Sequence, residues 1–215
     1  MKKACAVLLV GLFAVAVSAS AAPDGNERGI AGYGPMLGVS LARIHEKDFD
    51  NSLKLGIGLG GFLSYRLTPS FSLMGQVLFV QKGYRYTETN SYGTYKSRLT
   101  LNYLELPILA QYTFGADTFS YHAFAGPDFG FKMGGKYSYE YDGMSGEDSD
   151  MSHFKGMDLG LKFGAGLDYP IGPGRVGFDL AFIVGLCNMY ADKDGDYKAT
   201  NCAILFLFYY VFGGL

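Results

Sequence analysis

Tryptophan is absent from the 215 residues, so the 17 tyrosines and 17 phenylalanines must supply any aromatic anchoring at an interface. Its absence also counts against a soluble lipid-carrying barrel such as a lipocalin, which carries a Trp near its first strand. Beyond the first residues the chain lacks an apolar run long enough for a membrane-spanning helix. Residues 126–135 and 204–212 are short, and glycine or the chain end interrupts them. No basic patch breaks an almost balanced charge of 18 Lys and Arg against 20 Asp and Glu, which excludes nucleic acid as a partner. Cysteine is scarce, at three residues, and Cys5 sits too early in its apolar run for a lipoprotein anchor.

The N-terminus reads as an export signal over residues 1–21. Lys2 and Lys3 lead an apolar run from Ala4 to Val17, followed by the small residues Ala19, Ser20 and Ala21. Cleavage after Ala21 or Ala22 fits equally. Processing leaves about 190 residues, a single domain with a charge of about −4 and two cysteines, Cys187 and Cys202. A polar stretch over 22–29 precedes a domain predicted for 30–215.

Alternation with a period of two dominates that domain. Leu159, Leu161, Phe163, Ala165, Leu167 and Tyr169 alternate with Asp158, Gly160, Lys162, Gly164, Gly166 and Asp168. Phe178, Leu180, Phe182, Val184 and Leu186 alternate with Gly177, Asp179, Ala181, Ile183 and Gly185. Successive side chains of a strand point to opposite faces. One face here is wide and apolar, the other mostly glycine with a few charges. That polarity suits a barrel in lipid, apolar outside and small or charged inside. An exported chain without a spanning helix can enter the membrane only as a closed barrel, because open sheet edges are not tolerated in hydrocarbon. Glycine, 31 residues, is about twice its ordinary share, as a narrow lumen needs.

Eight strand-like runs are predicted near 30–44, 53–67, 71–86, 97–114, 118–133 (with a continuation to 141), 154–170, 175–189 and 199–212. Short turns at Thr68-Pro69-Ser70, Gly115-Ala116-Asp117 and residues 171–174 alternate with longer polar loops at 45–52, 87–96, 142–153 and 191–198. Short turns on one side and long loops on the other give an eight-stranded antiparallel up-and-down transmembrane β-barrel, turns towards the periplasm. Tyr65, Phe71, Tyr112, Phe114, Phe119, Tyr121, Tyr169, Phe178 and Phe212 fall near the short turns. Tyr84, Tyr86, Tyr137, Tyr139, Tyr141, Phe154 and Tyr190 fall near the long loops. Two interfacial girdles are expected.

Residues 71–83, ending Gln81-Lys82-Gly83, and residues 101–109, containing Asn102-Tyr103-Leu104-Glu105-Leu106-Pro107, carry a family resemblance. With Ala125-Gly126-Pro127 and Phe163-Gly164-Ala165-Gly166, they make the chain resemble the PorT-like outer-membrane β-barrel family of Bacteroidota over nearly all of its mature length. The resemblance implies an eight-stranded barrel in the cell outer membrane. It brings no shared reaction, though one type of member is tied to a protein-secretion system.

Charges in the inward phase are Lys54, Arg66, Glu105, Asp128, Lys132, Asp158, Lys162, Asp168 and Asp179. An eight-stranded barrel is just wide enough for side chains to fill it, so these are expected to pair into a plug. Mixed signs argue against a selective ion path, which shows rings of one sign. The histidines are His45, His122 and His153. Ser120 and His122 share a face, but i and i+2 on a strand do so by geometry alone, and no acid lies at a predictable distance. No catalytic residue, cofactor or metal site is expected.

Asp192, Asp194 and Asp196 resemble the start of a calcium loop but lack its glycine and distal glutamate. Asp194-Gly195 also suits a tight hairpin turn. Such a turn would oppose Cys187 and Cys202 and allow a disulfide. A register with Phe212 outward sends Cys202 to lipid and Cys187 inward, and excludes it. Residues 146–150 read as an acidic, exposed, unstructured loop.

The chain is therefore expected to be a non-catalytic outer-membrane barrel with a structural or interaction role. Its partners would be outer-membrane lipid, the barrel assembly machinery, and envelope or secretion proteins met through the loops. The alternatives are a lipid-modifying barrel enzyme and a secretion-machine component.

Overall fold

A computed structural model describes residues 28–46, 51–91, 93–115, 119–190 and 198–212. The export signal (1–21), most of the polar stretch (22–27), the acidic Asp192–Asp196 segment and the Asp194-Gly195 turn lie outside the described residues.

Among the described residues ten strands form one antiparallel sheet: β1 (Gly29–Glu46), β2 (Lys54–Thr68), β3 (Phe71–Asn90), β4 (Gly93–Glu105), β5 (Ile108–Phe114), β6 (Ser120–Tyr141), β7 (Met144–Asp148), β8 (Met157–Ile171), β9 (Gly174–Gly185) and β10 (Ala199–Val211). The ring has eight staves. β4 and β5 are one stave broken at Leu106-Pro107, since both pair with β3 on one side and β6 on the other. Proline has no N–H to give the ladder, so the strand breaks there. The flanking backbone is still tied in, with Gln76 N–H donating to Pro107 O (3.1 Å) and Leu106 N–H to Phe129 O (2.9 Å). β1 pairs with β2 on one edge and β10 on the other, which closes the sheet. Closure removes every edge at membrane depth.

The outer face is an apolar band. Leu37, Leu55, Leu59, Leu73, Ile108, Leu161, Phe163, Val184 and Phe208 are each about half exposed. Their inward neighbours are buried, and the phases predicted for β8 and β9 hold residue by residue.

Two of the expected long loops are strands. β3 runs on to Asn90 and β4 begins at Gly93, paired from Thr87↔Lys96 to Asn90↔Gly93, and β6 and β7 form a hairpin on Asp142 and Gly143, with φ of 46° and 80°. Two successive positive φ values are what a two-residue hairpin turn needs, and Asp-Gly is a favoured pair for it. β3, β4, β6 and β7 thus make a four-stranded sheet that stands beyond the ring.

The lumen is less polar than its glycines suggested. β10 is apolar on both faces, so Leu205 and Leu207 join Met36, Met74, Leu78, Leu109, Phe124 and Ile183 in an internal cluster. A second cluster, Ile44, Leu99, Leu101, Tyr103, Met151 and Met189, fills the loop end.

Candidate functional site

Inside the ring the charges meet as the alternation predicted, with one addition. Lys82 donates to Glu105 at 2.6 Å and lies 3.8 Å from Asp158. All three are buried. Asn201 Nδ2 donates to Asp158 (2.9 Å) and to Tyr103 Oη (3.2 Å). The ammonium of Lys162 donates to Gln76 Oε1 at 2.7 Å, and Asp128 is buried beside this network. Lys82, Gln76, Tyr103 and Asn201 were missed by sequence reasoning. Lys82 shares the phase of Gln76, Leu78 and Val80, opposite the outward Leu73, so its phase alone was the available signal. Lys54 is buried, Arg66 lines the turn-side mouth, and Lys132 is held by the carbonyls of Met151 and Phe154.

At the turn side an acid does reach His122, contrary to expectation. Nε2 lies 2.8 Å from Asp179 Oδ1 and Nδ1 3.4 Å from Asp168 Oδ2. The partners come from β8, paired directly with β6, and from β9 beyond it, where a single-strand reading does not look. Gly166↔Asp179 and His122↔Gly166 pairing brings them level. Nε2 is bonded to Asp179 and Nδ1 faces Asp168, so both imidazole nitrogens are turned to carboxylates rather than to Ser120, which lines a cavity of about 90 Å³ with Asp168 and Asp179. The Ser–His arrangement is not assembled. His45 and His153 are exposed. Among the described residues no group of three or more His, Cys, Asp or Glu is placed to hold a metal.

Cys187 and Cys202 are free. Cys202 faces Val184 across the β9–β10 ladder, three positions from the register a bridge would need. Phe212 is on the outer face, as is Cys202.

The turn-side girdle is joined by ring contacts along an arc from β3 to β8. Phe71, Tyr112, Phe114, Tyr121, Phe119 and Tyr169 follow one another with centroids 5.2–6.5 Å apart, and Phe212 touches Tyr33 and Tyr210. The loop-side girdle is not formed as expected. Tyr84, Tyr137, Phe154 and Tyr190 pack inward against the second cluster. The cause in β6 is a bulge near Met133, where the register to β4 shifts and Gly134 takes φ 145°. An extra residue flips every later side chain to the other face.

The bulge gives the projecting sheet two unlike faces. Across the ladders Tyr84, Leu99 and Tyr137 share a row, then Tyr86, Ser97 and Tyr139, then Glu88, Tyr95 and Tyr141. Six tyrosines thus lie on the face turned to the barrel axis, and the hydroxyls of Tyr95 and Tyr137 bond at 2.8 Å. The other face carries Arg85, Arg98, Lys96 and Lys136 with Glu140 and Glu147. Beyond β7, Asp148 accepts from Asp150 N–H and Asp150 accepts from Ser152 N–H, so residues predicted as an unstructured loop are tied down. The Ser152 bonds hold the Asp150 carboxyl below the usual carboxylate range.

Residues 23–191 match the outer membrane protein beta-barrel domain family, and the chain belongs to it. The protein is an outer-membrane β-barrel of the cell envelope. Among solved structures it is similar to the attachment invasion locus protein Ail of Yersinia pestis, at 16% identity over 85% of this chain and 99% of that one, with a TM-score of 0.41. It is likewise similar to Neisserial surface protein A, at 14% identity over 85% and 98% (TM-score 0.46). The outer membrane protein OprG of Pseudomonas aeruginosa matches at 12% over 85% and 95% (TM-score 0.40). No curated protein matches the sequence.

Proposed function

We propose that this is a non-catalytic interaction protein of the outer membrane whose working part is the projecting sheet. Residues 1–21 direct export and are removed, and the barrel assembly machinery inserts the chain. The observation that carries the reading is the tyrosine face on which Tyr86, Tyr95, Tyr139 and Tyr141 rise above the inward-packed Tyr84 and Tyr137 and a lumen filled by side chains. Tyrosine is enriched at protein interfaces, where it offers contact area with a polar tip. The resemblance to the PorT-like family favours a partner within an envelope or secretion machine. Catalysis on lipid is disfavoured by His122, whose Nε2 is bonded to Asp179 and whose Nδ1 faces the Asp168 carboxylate at 3.4 Å.

A photo-crosslinking residue at Tyr139 tests this in intact cells, with the same residue at lipid-facing Leu63 as control. The reading expects a discrete protein adduct at 139 that is lost on Tyr95→Ala and is absent at 63. No adduct at 139, or the same adducts at both, overturns it.

A further inference from the structure

Arg85 of β3 and Arg98 of β4 are directly opposed in the ladder, on one face and both exposed. Like charges directly opposite destabilise a sheet. Neither forms an ion pair among the described residues; on the same face Glu140 lies 3.7 Å from Lys96 and Glu147 lies 2.6 Å from Lys136. A hairpin that breaks a local pairing rule points to a counter-charge other than the described acids.

The place of this pair says what supplies the charge. Its face continues the lipid-facing surface: the row Phe79, Leu104 and Phe131 is followed by Gln81 and Asn102, joined at 3.1 Å, then by Thr100 and Lys136, then by Arg85 and Arg98. Arg85 stands fourteen positions along β3 from Phe71 of the turn-side girdle. At about 3.3 Å per residue and a tilt near 45°, that is roughly 33 Å of height. The apolar band of such barrels is about 25 Å tall, so the arginines emerge in the headgroup layer of the opposite leaflet.

We propose that Arg85 and Arg98, flanked by Lys96 and Lys136, bind the phosphate-bearing headgroup of an outer-leaflet lipid. Guanidinium groups match phosphate oxygens in bidentate geometry, and two side by side suit one phosphate group. The inference rests on the outer-membrane reading of the fold and is independent of what the tyrosine face meets.

The test uses the full mature protein in phosphatidylcholine nanodiscs containing either bis-phosphorylated lipid A or its dephosphorylated form, with bound lipid read by native mass spectrometry. The wild type retains the phosphorylated form selectively. Arg85→Gln with Arg98→Gln weakens retention by about tenfold or more, the loss expected for charged hydrogen bonds. Arg43→Gln, on the outer face of β1, changes it little. Both variants keep heat-modifiable migration, since the exchanged side chains are exposed. Equal retention of the two lipids, unchanged retention by the double variant, or displacement by inorganic phosphate at equal concentration overturns the proposal.

Discussion

Lys82 and Glu105 lie 2.6 Å apart, each with almost no surface exposed, on neighbouring staves inside the barrel. A buried pair is costly to break because the survivor keeps its charge without compensation. Lys82 also faces Asp158 at 3.8 Å, so its loss strands two carboxylates, whereas loss of Glu105 leaves the ammonium with Asp158. Lys82→Met should therefore destabilise by about 3–5 kcal/mol. Glu105→Gln should cost clearly less. Urea unfolding in detergent micelles gives the order, and a larger cost for Glu105→Gln would contradict it.

Neighbours on β8 face opposite media. Leu161 is half exposed on the lipid face, and Lys162 is buried with its ammonium on Gln76. Leu161→Arg should cost roughly 2–4 kcal/mol by the depth scale for barrels. Lys162→Met removes a hydrogen bond to a neutral amide and breaks no direct ion pair among the described residues, though it takes a positive charge from beside the buried Asp128, so it should be milder. The level of folded protein in outer membranes decides; normal assembly of Leu161→Arg with failure of Lys162→Met would invert the faces.

Much of this was legible from alternation alone. The phases of β8 and β9, the inward charges and the free outer face follow from side chains that reverse at every residue. Three features were not legible, each for a physical reason. The partners of His122 come from strands 46 and 57 positions away, and only register brings them level. The inward turn of Tyr137 depends on a single-residue bulge that leaves no composition signal. The projecting hairpins were read as loops because their polar residues resemble loop residues once both faces leave the membrane.

The β9–β10 register is open to a direct check. Cys202 opposes Val184 with both on the outer face, a spacing a disulfide can bridge. Val184→Cys should form a bond with Cys202 on mild oxidation, while wild-type Cys187 and Cys202 stay as two titratable thiols. A native 187–202 bond would refute the register.

Glycine is required where β1 meets β10. A Cβ on Gly34 would sit 1.7 Å from the Tyr210 carbonyl oxygen, which is backbone and cannot swing aside. On Gly75 it would meet nothing within 4 Å. Gly34→Ala should lower the yield of heat-modifiable barrel, and Gly75→Ala should not. Equal yields would show that the seam is looser than this packing.

Closure itself is tested most directly by a disulfide across that seam. Val39 opposes Phe206 on the outer face of β1 and β10. In a protein whose Cys187 and Cys202 are serine, Val39→Cys with Phe206→Cys should oxidise in outer membranes to a single bond within one chain. After boiling, the oxidised form should migrate differently from the reduced form, as a covalently closed ring does. Thiols that stay free, or bonds only between chains, would mean that β1 and β10 do not meet, and the closed barrel would be wrong.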